Sequence, residues 1–183
     1  MGDSPRANAT PECLTPRHLQ LFGTIVQWFA RYELLMQDVM ATVAGADAAA
    51  VMLLTRSLDF AGKRRVLLDL LRHRPVPLDQ FDRIRGYLVI PENLTPLRND
   101  IAHSAWKPGA TATGVQPNWI LRIPPSVKPS RGDRAEAGAY VEDNQDRVEY
   151  TLDDLERIVE SLADNYALFL AYLREVDLVP ARA

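Results

Sequence analysis

Residues 15–45 read TPRHLQLFGTIVQWFARYELLMQDVMATVAG, and this stretch decides the fold. Thr15 offers a side-chain oxygen for a helix N-cap, and Pro16 has the fixed φ suited to a first helical position. From there Leu19, Phe22, Val26, Phe29, Glu33, Met36, Met40 and Val43 recur at three- and four-residue steps, with Ile25, Tyr32 and Val39 widening the stripe. The spacing predicts one long amphipathic helix facing a core along that stripe and ending at Gly45. Trp28, Phe29 and Tyr32 read as core aromatics.

Downstream, Asp47 is a second N-cap before an Ala- and Leu-rich helix over 48–58. Phe60 to Arg74 continues with Val66, Leu67, Leu70 and Leu71 on one side and Lys63-Arg64-Arg65 on the other; Gly62 is expected to kink or divide this pair. Pro75 and Pro77 stop it. Leu78 opens a helix through Phe81, Ile84, Tyr87 and Leu88 that Pro91 interrupts, and a short segment with Leu94, Leu97 and Ile101 on one face follows.

Residues 106–150 lose the helical period and gain proline, glycine and charge. Strand-like runs at 119–123, 140–141 and 147–150, with Asp143-Asn144 as a turn, predict a small hairpin insertion. Thr151-Leu152-Asp153-Asp154 has the form of a capping box ahead of a last helix through Leu155, Ile158, Val159, Leu162, Tyr166, Phe169 and Leu173. The expected fold is all-α: an up-down bundle of four to five helices with a small β-hairpin-like insertion before the last helix. Residues 1–14 read as a flexible leader, and 15–183 as a single helical domain with its insertion at 106–150.

A chain of 183 residues suits one domain with a sizeable core. Net charge is −3, yet Arg56–Lys107 holds 10 Lys/Arg against 6 Asp/Glu, a net of +4 that leaves −7 for the rest. A basic middle in an acidic chain permits a phosphate-binding face. The one cysteine, Cys13, allows no intrachain disulfide, which fits a reducing compartment. Met1–Arg6 lacks the apolar run of a signal peptide, and no stretch approaches the apolar length of a membrane span. A cytoplasmic protein with no membrane partner is expected.

Chemistry concentrates at Arg98-Asn99-Asp100-Ile101-Ala102-His103. Arg98 carries a permanent planar cation fit for phosphate, and His103 is a residue type that exchanges protons near neutral pH. At 100° per residue, Leu94, Leu97 and Ile101 share a core-facing side, while Arg98, Asn99 and His103 spread over the other. Asn99 and His103, four apart, are spaced to touch; Arg98 and His103 meet only over something external, a substrate or a second subunit. A structural alternative has the same residues acting as helix-end caps, with Arg98 paired to Asp100 or a neighbour.

The segment, followed by a small residue and an aromatic, resembles the Arg-x(4–6)-His signature of the HEPN superfamily. The order of a long first helix, a basic second hairpin, a motif near the end of a later helix and a final helix is similar to that family across residues 16–176. The resemblance implies a metal-independent endoribonuclease, a toxin or phage-defence effector, working as a homodimer with two motifs in one cleft. Arg98 would neutralise the scissile phosphate and His103 would move a proton as the RNA 2′-hydroxyl attacks. The products would be a 2′,3′-cyclic phosphate and a 5′-hydroxyl, with Asn99 positioning the histidine. Implied partners are RNA and an antitoxin or other defence-system protein. The alternative is a non-catalytic HEPN-like dimerisation or binding module.

Lys63, Arg64, Arg65 and Lys107 are candidate RNA-backbone contacts, with a solvated helix face as the plainer reading. His18 and His73 read as surface or capping residues. Three scattered histidines and Cys13 offer no metal-ligand spacing, and no phosphate-cradling glycine loop is present, so neither metal nor cofactor is expected. Trp106 and Trp119 read as packing the insertion onto the bundle before they read as base-stacking rings. Ser104 lacks the context of a hydrolase nucleophile.

Overall fold

A computed structural model describes residues 13–74, 76–122, 140–143 and 148–179. Helix α1 (Pro16–Ala44) is the axis of the molecule. Thr15 caps it in a capping box whose reciprocal partner is His18, and Gly45 closes it at φ 64°, its N–H reaching back to the Ala41 and Thr42 carbonyls. The imidazole of His18 is buried: Nε2 lies 3.0 Å from the Thr113 carbonyl, which only accepts, so Nε2 donates and Nδ1 accepts from Thr15. His18 therefore caps, as expected, but from inside the fold and not at its surface.

The buried seam of α1 runs Phe22, Ile25, Phe29, Tyr32, Met36, Val39 and Val43. Leu19 and Val26 were expected on it but are 55% and 36% exposed. They lie about 90–110° around the helix from the seam's centre, beyond the reach of the two helices that pack there.

Those helices are α3 (Phe60–His73) and α7 (Leu152–Glu175). Phe60 meets Phe29 edge-on at 5.4 Å. Asp59 caps α3 by accepting from the N–H of Gly62 at 2.8 Å. Gly62 thus sits in the first turn and divides nothing, contrary to the kink expected there. Thr151 and Asp154 form the expected capping box of α7, and Leu155, Leu162, Phe169 and Leu173 are its buried face. Helix α2 (Ala48–Thr55), capped by Asp47, folds back on α1, where Gln37 donates to the Thr55 hydroxyl at 2.7 Å.

Helices α4 (Leu78–Tyr87), α5 (Val89–Asn93) and α6 (Thr95–His103) follow as a broken run. Pro91 and Pro96 fall in the first turns of α5 and α6, where the missing N–H breaks no helical bond. Tyr87 of α4 stacks on Phe169 of α7 at 5.2 Å. In the core between α1, α4 and α7, Asn165 donates to the Tyr32 hydroxyl at 2.6 Å and the Tyr87 carbonyl at 2.8 Å, and Tyr32 donates to the Leu162 carbonyl.

The chain is an all-α, up-down bundle with a small antiparallel sheet before its last helix. The sheet has order β1 (Ser104–Pro108), β2 (Val115–Arg122), β3 (Tyr140–Asp143), and a bridge from Val115 to Tyr150 returns the chain to α7. It starts at Ser104, directly after α6 and two residues ahead of the expected insertion. A bulge between Ala105 and Trp106 turns Trp106 inward onto Phe22, ring centroids 4.5 Å apart. The expected strand residues Ile123 and Arg147 and the turn residue Asn144 lie outside the described residues, as do residues 1–12 of the leader. Cys13 and Leu14, also assigned to the leader, are half-buried against the core.

Glu149 closes the β1–β2 turn. Its carboxylate accepts from the N–H groups of Ala110 and Thr111 at 2.8 and 2.9 Å and from the Thr111 hydroxyl. A Cβ on Gly114 would stand 1.7 Å from Glu149 Oε1, so only glycine lets the turn wrap this closely. The Thr111 hydroxyl, then the two N–H groups, hold the Glu149 carboxyl below its usual range.

Candidate functional site

The motif lies on α6, whose position is set from both ends. Upstream, the Thr95 hydroxyl donates to the Pro91 carbonyl and Arg64 of α3 pairs with Glu92 of α5 at 2.8 Å. Downstream, the Ser104 N–H donates to the Asp100 carbonyl as the chain turns into β1. Leu97 and Asp100 are buried, and Ile101 is half-buried. This fixes which side of a nine-residue helix faces outward.

That outer side carries Arg98, half-buried, with Asn99 and His103, both exposed. Arg98 Nη1 donates to Asn99 Oδ1 at 3.2 Å. No described residue hydrogen-bonds the His103 imidazole. Asn99 therefore orients the guanidinium, whereas the expectation had it holding the histidine. His103 lies five positions after Arg98, about 140° of turn and about 7.5 Å of rise. One copy therefore presents them well apart around the helix and not in contact.

Asp100 is buried and interacts within the fold. The Ser104 hydroxyl oxygen is also buried and has no hydrogen-bond partner among the described residues. Neither placement was legible in the sequence, because α6 ends and extended backbone begins between the two.

The expected RNA-contacting cations divide. Lys63 is 7% exposed and ion-paired with Glu33 of α1, so it faces the bundle and not a ligand. Arg64 is held by Glu92, with its Nε buried and unpartnered among the described residues. Arg65 is exposed and Lys107 half-buried on β1. The basic run is thus mainly an α1–α3–α5 clasp, and Arg65 is the member that projects outward. The side chain of Trp119 lies outside the described residues; Trp106 is committed to the core.

Among the described residues no group of three His, Cys, Asp or Glu side chains is placed to hold a metal ion, and no helix is long and apolar enough to cross a membrane. Comparison with protein-family models, with curated proteins and with solved structures finds no match to this chain.

Proposed function

We propose that the protein is a metal-independent endoribonuclease of HEPN type, acting as a toxin or phage-defence effector in the cytoplasm. The observation that carries this reading is the presence of Arg98 and His103 on the outer side of α6, where among the described residues Arg98 hydrogen-bonds its neighbour Asn99 and His103 makes no hydrogen bond. A guanidinium already oriented by an amide is ready to grip a phosphate, and an accessible imidazole is ready to move a proton.

In the reaction, the RNA 2′-oxygen attacks phosphorus as its proton passes to an imidazole. The bond to the 5′-oxygen breaks, and that oxygen takes up a proton. A 2′,3′-cyclic phosphate and a 5′-hydroxyl result. Arg98 neutralises the extra negative charge on the phosphorane-like state, and two copies supply two motifs to one substrate. Positioned proton transfer contributes about 10²–10⁴-fold, and charge neutralisation about 10²–10³-fold.

A non-catalytic dimerisation or binding module is the second reading. It is favoured by the internal use of Lys63 and Arg64, which removes two of the cations a phosphate groove would draw on. Incubation of the purified chain with total RNA separates the two. Cleavage by wild type that is lost in His103→Ala at unchanged melting temperature supports the nuclease. An intact RNA pool after wild-type treatment leaves the module.

A further inference from the structure

At 1% exposure His18 is the most enclosed of the buried polar and charged side chains among the described residues. The ribonuclease reading makes no use of it. Both ring nitrogens are engaged. Nδ1 accepts from the Thr15 N–H at 3.2 Å and lies 2.8 Å from the Thr15 hydroxyl, while Nε2 donates to the Thr113 carbonyl at 3.0 Å. The ring is thus a bolt between the first turn of α1 and the β1–β2 turn, 95 residues away in sequence.

We propose that this bolt is a pH switch: proton uptake by His18 expels the ring and frees the β1–β2 turn from α1. Only the neutral form with its proton on Nε2 fits the site. A second proton goes on Nδ1 and sets two donors, that nitrogen and the Thr15 N–H, against each other. The new charge would stand at the third residue of a 29-residue helix, at the positive end of the macrodipole. It would also be a cation where water hardly reaches, and none of the ion pairs among the described residues includes His18.

The charged and titratable groups on the surrounding elements are committed elsewhere. Arg17 of α1 is bonded to Gln20 and to Glu156 of α7. Asp154 of α7 accepts from Thr151 and Arg157. Burial pushes the Cys13 thiol up, so it stays protonated and donates to the Trp106 carbonyl. Tyr150, edge-on to Trp106, belongs to a residue type that ionises far above neutral pH. Glu149 is bonded to the Ala110 and Thr111 N–H groups, and these bonds hold its carboxyl below the usual range. The turn therefore stays wrapped on Glu149 through the whole imidazole range and moves as one piece when its tie to α1 is cut. Swinging outward gives the imidazolium its hydration and breaks both tethers together.

This inference goes beyond the ribonuclease reading and holds whether or not RNA is cut. Imidazole and amide NMR on the full chain tests it. At about pH 8 the His18 ring should carry its proton on Nε2, and the amides of the 109–114 turn should exchange slowly. Between about pH 7 and 5.5 the ring should become the imidazolium. Over the same interval those amides, corrected for the intrinsic effect of pH, should exchange at least about tenfold faster. His18→Gln offers one donor and one acceptor but takes up no proton, so it should keep the turn closed throughout. His73→Gln should leave the wild-type response unchanged. If His18→Gln fails to fold, the wild-type ring and turn amides decide by titrating together. A neutral, Thr113-bonded ring at about pH 5.5 overturns the proposal. So does an imidazolium with the turn still protected, or acid opening that persists in His18→Gln.

Discussion

The Lys63–Glu33 ion pair gives the sharpest test of how the basic run is used. The Lys63 side chain is 8% exposed and that of Glu33 21%, so removing one partner strands a charge that water hardly reaches. Breaking a buried pair costs about 3–5 kcal/mol, and the partial exposure of Glu33 places this one near the lower end, about 3 kcal/mol. For a domain of this length that is roughly a 6–12 °C fall in melting temperature. Lys63→Ala should therefore be strongly destabilising in urea or thermal unfolding. The double variant Lys63→Met/Glu33→Leu should recover most of the loss, because an apolar pair of similar volume strands no charge. If Lys63 instead served RNA, Lys63→Ala would keep its stability and lower the salt dependence of RNA binding by about one phosphate contact. A stability loss under 1 kcal/mol, or no recovery in the double variant, would refute the clasp.

Other consequences are measurable too. Burial pushes the Tyr32 hydroxyl up to about 12 from 10, so the folded state keeps a proton that the unfolded chain releases first. Stability from this group is intact below pH 10 and falls away between about 10 and 12; Tyr32→Phe should flatten that window in alkaline unfolding curves and cost about 1–2 kcal/mol at neutral pH. Glu149 has the opposite sign. Its carboxylate is stabilised in the fold, so its contribution is present above the usual carboxylate range and disappears as pH falls through its lowered value; acid unfolding of Glu149→Gln should lose that dependence. Gly114→Ala should expel the Glu149 carboxylate and open the 109–114 turn to limited proteolysis, whereas unchanged cleavage would contradict the clamp. Trp106→Ala should cost about 3–5 kcal/mol in denaturant unfolding through lost packing on Phe22.

Much of this architecture is written in local chemistry. Thr15, Asp47, Asp59 and Thr151 each accept from a first-turn N–H, and Gly45 ends α1 in the left-handed region; such signals act within a few residues and can be read from a string. The outward placement of Arg98, Asn99 and His103 is legible for the same reason, since Leu97 and Ile101 fix the helix's inner side. What escaped depends on distant partners. Leu19 and Val26 fit the periodic stripe of α1, but α3 and α7 decide which part of that stripe is covered. Lys63 looks like a surface cation until Glu33, thirty residues away, is brought beside it. Asn99 can face either neighbour on a helix; its choice of Arg98 over His103 is a rotamer decision. Ser104 leaves the helix for β1 because Ile120 of β2 lies opposite to pair with it.

The central claim is chemical: Arg98 and His103 serve attack by the substrate's own 2′-hydroxyl. The most direct measurement is cleavage of an RNA oligonucleotide carrying a single 2′-deoxy substitution at the mapped scissile position, with EDTA present. The all-ribose strand should be cut to a 2′,3′-cyclic phosphate while the substituted strand survives at that position. Cleavage of the 2′-deoxy strand there, or products bearing 5′-phosphates, would contradict it.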